Sequence, residues 1–107
     1  LGFPTANLRP ADGMMTPRDG IYAAWAHVGG ERYMAATNIG TNPTFGDRRR
    51  SIEPYLLDFS GDLYGKRLAL EFVKRLRDEV KFDRVEDLQR QVDVDVEQTK
   101  TILGARR

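Results

Sequence analysis

The chain has no cysteine among its 107 residues, and only one histidine and one tryptophan. A disulfide framework, a thiolate metal centre and a cysteine nucleophile are thereby excluded. Charge of a single sign is also lacking: seventeen Lys and Arg oppose sixteen Asp and Glu, for a formal net charge of +1. This balance gives no general electrostatic drive toward nucleic acid or an anionic membrane, so neither is expected as a partner and any phosphate contact must be local. No apolar run approaches the roughly 18 residues of a membrane span, and the domain is expected to be soluble. Neither a GxxxxGKS/T phosphate loop nor a GxGxxG dinucleotide turn occurs. If nucleotide is handled, it is handled in another cradle. The length fits one domain with a single small core.

The remaining pattern is mainly that of a sheet. Residues 9–19 hold Pro10, Pro17, Asp12-Gly13 and Asp19-Gly20 and read as loop and turns. Residues 21–28 alternate, with Ile21, Ala23, Trp25 and His27 on one side and Tyr22, Ala24, Ala26 and Val28 on the other. Both sides are mainly apolar, so one faces a core and the other is expected to be covered. Gly29-Gly30 marks a hairpin, and residues 31–39 return as a second strand. Tyr22, Trp25 and Tyr33 suit core packing better than a stacking surface, and His27 has no carboxylate at a local spacing to orient it.

Residues 40–51 form a Gly-, Pro- and Asn-rich loop ending in Arg48-Arg49-Arg50, a solvated tip or a phosphate contact. A strand over 52–59 places Glu53 at the head of an otherwise apolar row of Tyr55, Leu57 and Phe59. Such a carboxylate either escapes at the strand end or is kept for chemistry. Pro54 beside it cannot donate a ladder hydrogen bond, which predicts an edge or a bulge at that point. After a turn at 60–65, residues 66–76 read as a strand with Leu68, Leu70 and Phe72 on one side and Arg67, Glu71 and Arg75 on the other. Asp83 and Glu86 make a capping-box pattern before a helix with apolar Leu88, Val92, Val96 and Leu103, in which a break is expected near 92–95.

At the opposite end, Pro4 fixes the backbone and Thr5 and Asn7 stand two residues apart, on one side of an extended segment. A hydroxyl and an amide oxygen are hard neutral ligands suited to Mg²⁺ held on substrate phosphates; the same pair is also common turn chemistry. The longer string Gly2-Phe3-Pro4-Thr5-Ala6-Asn7 is more specific. With the block from Asn38 to Gly46, Glu53 followed by Leu56-Leu57-Asp58-Phe59, the block from Gly61 to Gly65, and the block from Leu76 to Phe82, it resembles the riboflavin kinase domain. That domain occurs alone or in bacterial bifunctional riboflavin kinase/FAD synthetases.

The resemblance implies a mainly β fold: a small closed antiparallel Greek-key barrel with a C-terminal helical segment packed on it. It implies transfer of the ATP γ-phosphate to the 5′-hydroxyl of riboflavin, with FMN and ADP as products. Glu53 matches the catalytic base. Thr5 and Asn7 match the Mg²⁺ ligands, and Gly2, Pro4, Thr5 and Asn7 the nucleotide-binding motif. Phe3, Arg77, Asp78 and Phe82 fall where the family holds the flavin. The chain opens directly on its motif, so residues 1–107 are expected to be an N-terminally truncated kinase domain, short of the family's first strand and Gly-rich loop. An adenylyltransferase domain upstream and a cytoplasmic location are further implications. Two other readings stay open: a flavin- or nucleotide-binding barrel without turnover, and an oligonucleotide-binding barrel using the aromatic set.

Overall fold

The computed structural model describes residues 3–6, 8, 16–41, 50–63 and 65–104. Within them run β1 (Gly20–Val28), β2 (Glu31–Thr41), β3 (Arg50–Leu56), β4 (Leu68–Arg77) and α1 (Val85–Gly104). The strands form one antiparallel sheet in the order β3-β2-β1-β4. Gly29 and Gly30, both at positive φ (59° and 83°), close the β1–β2 hairpin between Val28 and Glu31. Two successive positive φ values are what a two-residue turn matched to strand twist requires.

The two apolar sides of β1 are buried for different reasons. Ala26 and Val28 cluster with Ala35 and Leu56, and Tyr22 with Ile39 and Ile52, on the inner face. Alternation of alanines with large side chains lets that face curl tightly. On the outer face Ala23 and Trp25 meet Leu103, while Ala36 and Leu57 meet Val92 and Val96 of α1. The helix is therefore the cover that the second apolar side demanded. Burying its fully enclosed Leu103 contributes about 1.5–3 kcal/mol.

Among the described residues no ladder joins β4 back to the amino-terminal segment. The inner face nevertheless converges, because Leu8, Leu70 and Phe72 all pack on the Tyr22–Ile39–Ile52 cluster. The amino-terminal segment runs along β3, with bridges Thr5↔Tyr55 and Leu8↔Ile52. Ile52 and Leu8 exchange both backbone bonds at 2.8 Å, and Leu56 donates to the Pro4 carbonyl at 2.9 Å. Position 54 lies between those donors on the same strand edge. Pro54 thus removes a bond to the amino-terminal segment and none to β2, which is how a fully buried proline is accommodated here.

Several expectations need correction. The strand expected over 52–59 ends at Leu56, and Asp58 at φ 59° turns the chain over. Phe59 consequently stacks edge-on against Tyr33, in the inner cluster rather than in the row with Glu53. Two register shifts in the β1–β4 pairing break the strict alternation of β4, so Arg75 stands opposite Tyr22 and Arg77 opposite Ile21. The helix is continuous through 92–95, and its first bond, Leu88 N–H to the Arg84 carbonyl, makes Arg84 rather than Asp83 the capping position. Of the basic run, Arg48 and Arg49 lie outside the described residues. Arg50 ties β3 to the segment before β1 through Asp19 (2.7 Å), Thr16 (3.0 Å) and the Pro17 carbonyl.

Candidate functional site

The β2–β3 register sets Asn38 opposite Glu53 and Gly40 opposite Ser51. Helix α1 covers the outer face of this hairpin around Ala36 and Tyr55. Beyond the helix, Asn38, Gly40, Thr41, Ser51 and Glu53 form one wall of a polar cavity of about 180 Å³, and Glu79 and Lys81 of the β4–α1 connection form the other. Lys81 fastens that connection by donating to the Thr41 carbonyl at 3.1 Å and pairing with Glu79 Oε1 at 2.9 Å. A second, smaller cavity of about 40 Å³ adjoins it, lined mainly by Ile21, Ala36, Tyr55, Phe82, Leu88 and Val92. Asn38 and Glu79 belong to both linings.

Glu53 is half-buried, and its Oε1 accepts a 3.1 Å hydrogen bond from the Tyr55 hydroxyl. Burial, then the Glu53 charge and that hydrogen bond, then the Asp95 charge, push the Tyr55 hydroxyl up to about 12. Tyr55 therefore remains a donor throughout the physiological range. Arg77 reaches from the end of β4 to Asp95 of α1 with paired bonds, Nε to Oδ1 at 2.9 Å and a terminal nitrogen to Oδ2 at 2.7 Å. Gln91 adds a third donor to Asp95 at 3.1 Å. Asp95 is buried, so its charge is tolerable only because of this fork and amide.

Pairing of Thr5 with Tyr55 places Thr5 on the side of the sheet that carries Glu53, since residues 53 and 55 share a face. The Thr5 hydroxyl is exposed and makes only a 3.4 Å contact with the Ala6 carbonyl. It borders a cavity of about 380 Å³ between the amino-terminal segment and the β3–β4 connection. Phe3 packs on the Ala36–Leu57–Val92–Val96 cluster beside Tyr55 and Leu88, and Phe82 and Arg77 line the small apolar cavity. Asp78 stands apart: its side chain is 85% exposed and paired with Arg75 at 2.7 Å, which holds its carboxyl below the usual carboxylate range. Gly2 and Asn7 lie outside the described residues. A further depression of about 400 Å³ between β4 and the later turns of α1 shares no residue with the Glu53 cavity.

The family profile described as riboflavin kinase (Flavokinase) matches residues 1–103. The chain belongs to the riboflavin kinase family. Among its relatives are the bifunctional riboflavin kinase/FMN adenylyltransferases of Bacillus subtilis, 41% identical over 89% of this chain and 31% of that protein, and of Listeria monocytogenes, 39% identical over 97% of this chain and 33% of that protein. An RNA-binding riboflavin kinase of Bacillus subtilis is 35% identical over 90% of this chain and 41% of its own length. The chain thus spans about a third of the length of the bifunctional curated relatives it matches. A solved Streptococcus pneumoniae structure, described as a macrolide-efflux protein, shares the fold with a TM-score of 0.82 at 35% identity, over 92% of this chain and 33% of its own. Among the described residues no helix is long and apolar enough to cross a membrane. Membership of the riboflavin kinase family supports flavin phosphorylation as the general chemistry of the chain.

Of the site residues named from sequence, Glu53, Arg77 and Phe82 line the two adjoining cavities and Phe3 and Thr5 lie beside Tyr55; Asn38, Tyr55, Glu79 and Asp95, which line the same cavities, were not among those named. For Asp95 a signal existed: it is an acid on the apolar stripe Val92, Val96, Thr99 and Leu103. For Asn38 the signal was its place opposite Glu53 across the hairpin, which is visible only once the register is known.

Proposed function

We propose that this chain transfers the γ-phosphate of ATP to the 5′-hydroxyl of riboflavin, giving FMN and ADP. The observation that carries the reading is Glu53, held by Tyr55 in a polar cavity that adjoins an apolar one on a riboflavin kinase family chain. In this reading the 5′-oxygen attacks the γ-phosphorus in line while its proton passes to the Glu53 carboxylate. The bond from the γ-phosphorus to the β,γ-bridging oxygen breaks, and ADP leaves with that electron pair. Protein groups need only position and neutralise, because phosphoryl transfer asks for little covalent help.

Phe3, Arg77, Asp78 and Phe82 are assigned to the flavin, and Gly2, Pro4, Thr5 and Asn7 to the nucleotide. The donor set fits Mg²⁺ carried on phosphates rather than caged by protein: Thr5 offers an exposed neutral oxygen, and no described group of three or more His, Cys, Asp or Glu converges. Thr5 and Asn7 would hold the ion, which would supply charge neutralisation on the phosphates. Residues 1–107 are assigned to this kinase domain. The bifunctional relatives support an adenylyltransferase partner domain in the same chain, and a cytoplasmic setting is assigned with it as part of this proposal. Nucleic acid and membrane have no part in this reading. Tyr22 and Trp25 fall on opposite faces, so the aromatic set offers no common stacking platform to an oligonucleotide.

The test is incubation with riboflavin, ATP and Mg²⁺, followed by chromatographic assay of flavins and nucleotides. FMN and ADP are expected in equal amounts. Absence of FMN rejects the proposal, and quenched flavin fluorescence without ADP would mark a binding module instead.

A further inference from the structure

The β4–α1 connection, residues 78–84, contains neither helix nor strand, yet through Glu79 and Lys81 it forms one wall of the Glu53 cavity. Its place is set chiefly by side chains. Two of the ties are solvated and weak: Asp78, 85% exposed, pairs with Arg75, and Lys81, 70% exposed, reaches the Thr41 carbonyl. The third is buried. Arg77, the last residue of β4, donates Nη1 to the Asp78 carbonyl at 2.9 Å while its Nε and Nη2 grip Asp95 in the middle of α1. One guanidinium thus ties the first peptide of the connection to the helix, and the Gln91 amide steadies its acceptor.

As a device for docking a helix, a buried ion pair is poor, because apolar residues of similar volume commonly do as well or better. A planar fork does what they cannot: it fixes an angle as well as a distance. We propose that Asp95 is a positioning residue for phosphoryl transfer, setting through Arg77 where the β4–α1 connection stands opposite Glu53. The inference rests on the riboflavin kinase reading above. Asp95 also lines the small cavity with Tyr55, whose hydroxyl holds Glu53, so both walls of the Glu53 cavity take their reference from one turn of α1. A misplacement of about 1 Å far from the chemistry can cost on the order of a hundredfold in rate.

The experiment combines native-state trypsin cleavage with steady-state assay of FMN formation. Lys81 and Arg84 put two tryptic sites in the connection, and Arg32 in β2 supplies a reference site outside it. The unaltered chain is compared with Asp95→Asn, with Arg77→Met/Asp95→Leu, and with Leu103→Ala, which loosens α1 at its far end. Asp95→Asn is expected to speed cleavage after Lys81 and Arg84, relative to Arg32, by about tenfold or more, and to raise KM for riboflavin on the order of tenfold with KM for ATP unchanged. The apolar double variant is expected to hold or raise the melting temperature and still show both defects. Leu103→Ala should lower the melting temperature with neither defect, because global opening exposes all three sites alike. A double variant with unaltered cleavage and KM overturns the proposal, since helix docking would then account for Asp95 entirely. So does Asp95→Asn with unaltered relative cleavage, and if that variant does not fold the double variant decides alone. Absence of FMN from the unaltered chain would overturn the riboflavin reading by itself; cleavage, which needs no substrate, would then decide whether Asp95 sets the connection.

Discussion

The Tyr55 hydroxyl engages one oxygen of Glu53 and so restricts rotation of the carboxylate proposed to take the proton. Glu53→Gln is expected to lower FMN formation by about 10²–10⁴-fold with riboflavin quenching retained, since the amide fills the same space without accepting a proton. Tyr55→Phe removes only the tether. A loss of roughly fivefold in turnover is expected, one ordinary hydrogen bond's worth. The same substitution has an alkaline signature. Because burial and Glu53 push Tyr55 up to about 12, the folded chain keeps a proton that the unfolded chain releases near pH 10. Stability is therefore lost as pH rises from 10 to 12. Melting curves across that window should fall less steeply for Tyr55→Phe than for the unaltered chain.

Helix α1 and the end of β4 are joined by a charge pair as well as by apolar packing. Removing one partner of a buried pair strands the other, so Asp95→Ala is expected to cost about 3–5 kcal/mol in urea unfolding. It should also loosen Arg77 at the rim of the small cavity. A break near 92–95 was a reasonable expectation for Val92-Asp93-Val94-Asp95, because β-branched and acidic residues are mediocre helix formers. Arg77 overrides that preference from 18 positions away. The alternation of β1 was readable because both of its faces obey a period of two. That of β4 was not, because register shifts after Phe72 move Leu76 toward the Leu103 cluster and Arg75 opposite Tyr22 without leaving a mark in composition. Glu53 and Thr5 stand out in the sequence by their motifs, whereas the places of Asn38 beside Glu53 and of Glu79 over Gly40 follow from a register and from a connection folding back.

For the molecule as a whole, the near-zero net charge leaves stability chiefly to the two apolar faces of one sheet. Exposed pairs such as His27–Glu71, Arg90–Asp87 and Lys100–Glu97 contribute little each and are screened by salt. Raising NaCl to about 0.5 M should move the melting temperature by no more than about 3 °C, measurable by scanning fluorimetry, because the screened pairs are the weak ones. Among the described residues, the segment bearing Thr5 is joined to β3 by few backbone bonds. Pro54 leaves it anchored at Pro4 and Leu8, and the Ala6 carbonyl between these anchors has only the 3.4 Å touch of Thr5's own hydroxyl. In the proposed reaction the Thr5 hydroxyl would leave one long contact and no ladder bond to meet a phosphate-borne ion. Pro54, which cannot donate to the Ala6 carbonyl, leaves the backbone there with no ladder bond to break when this segment shifts.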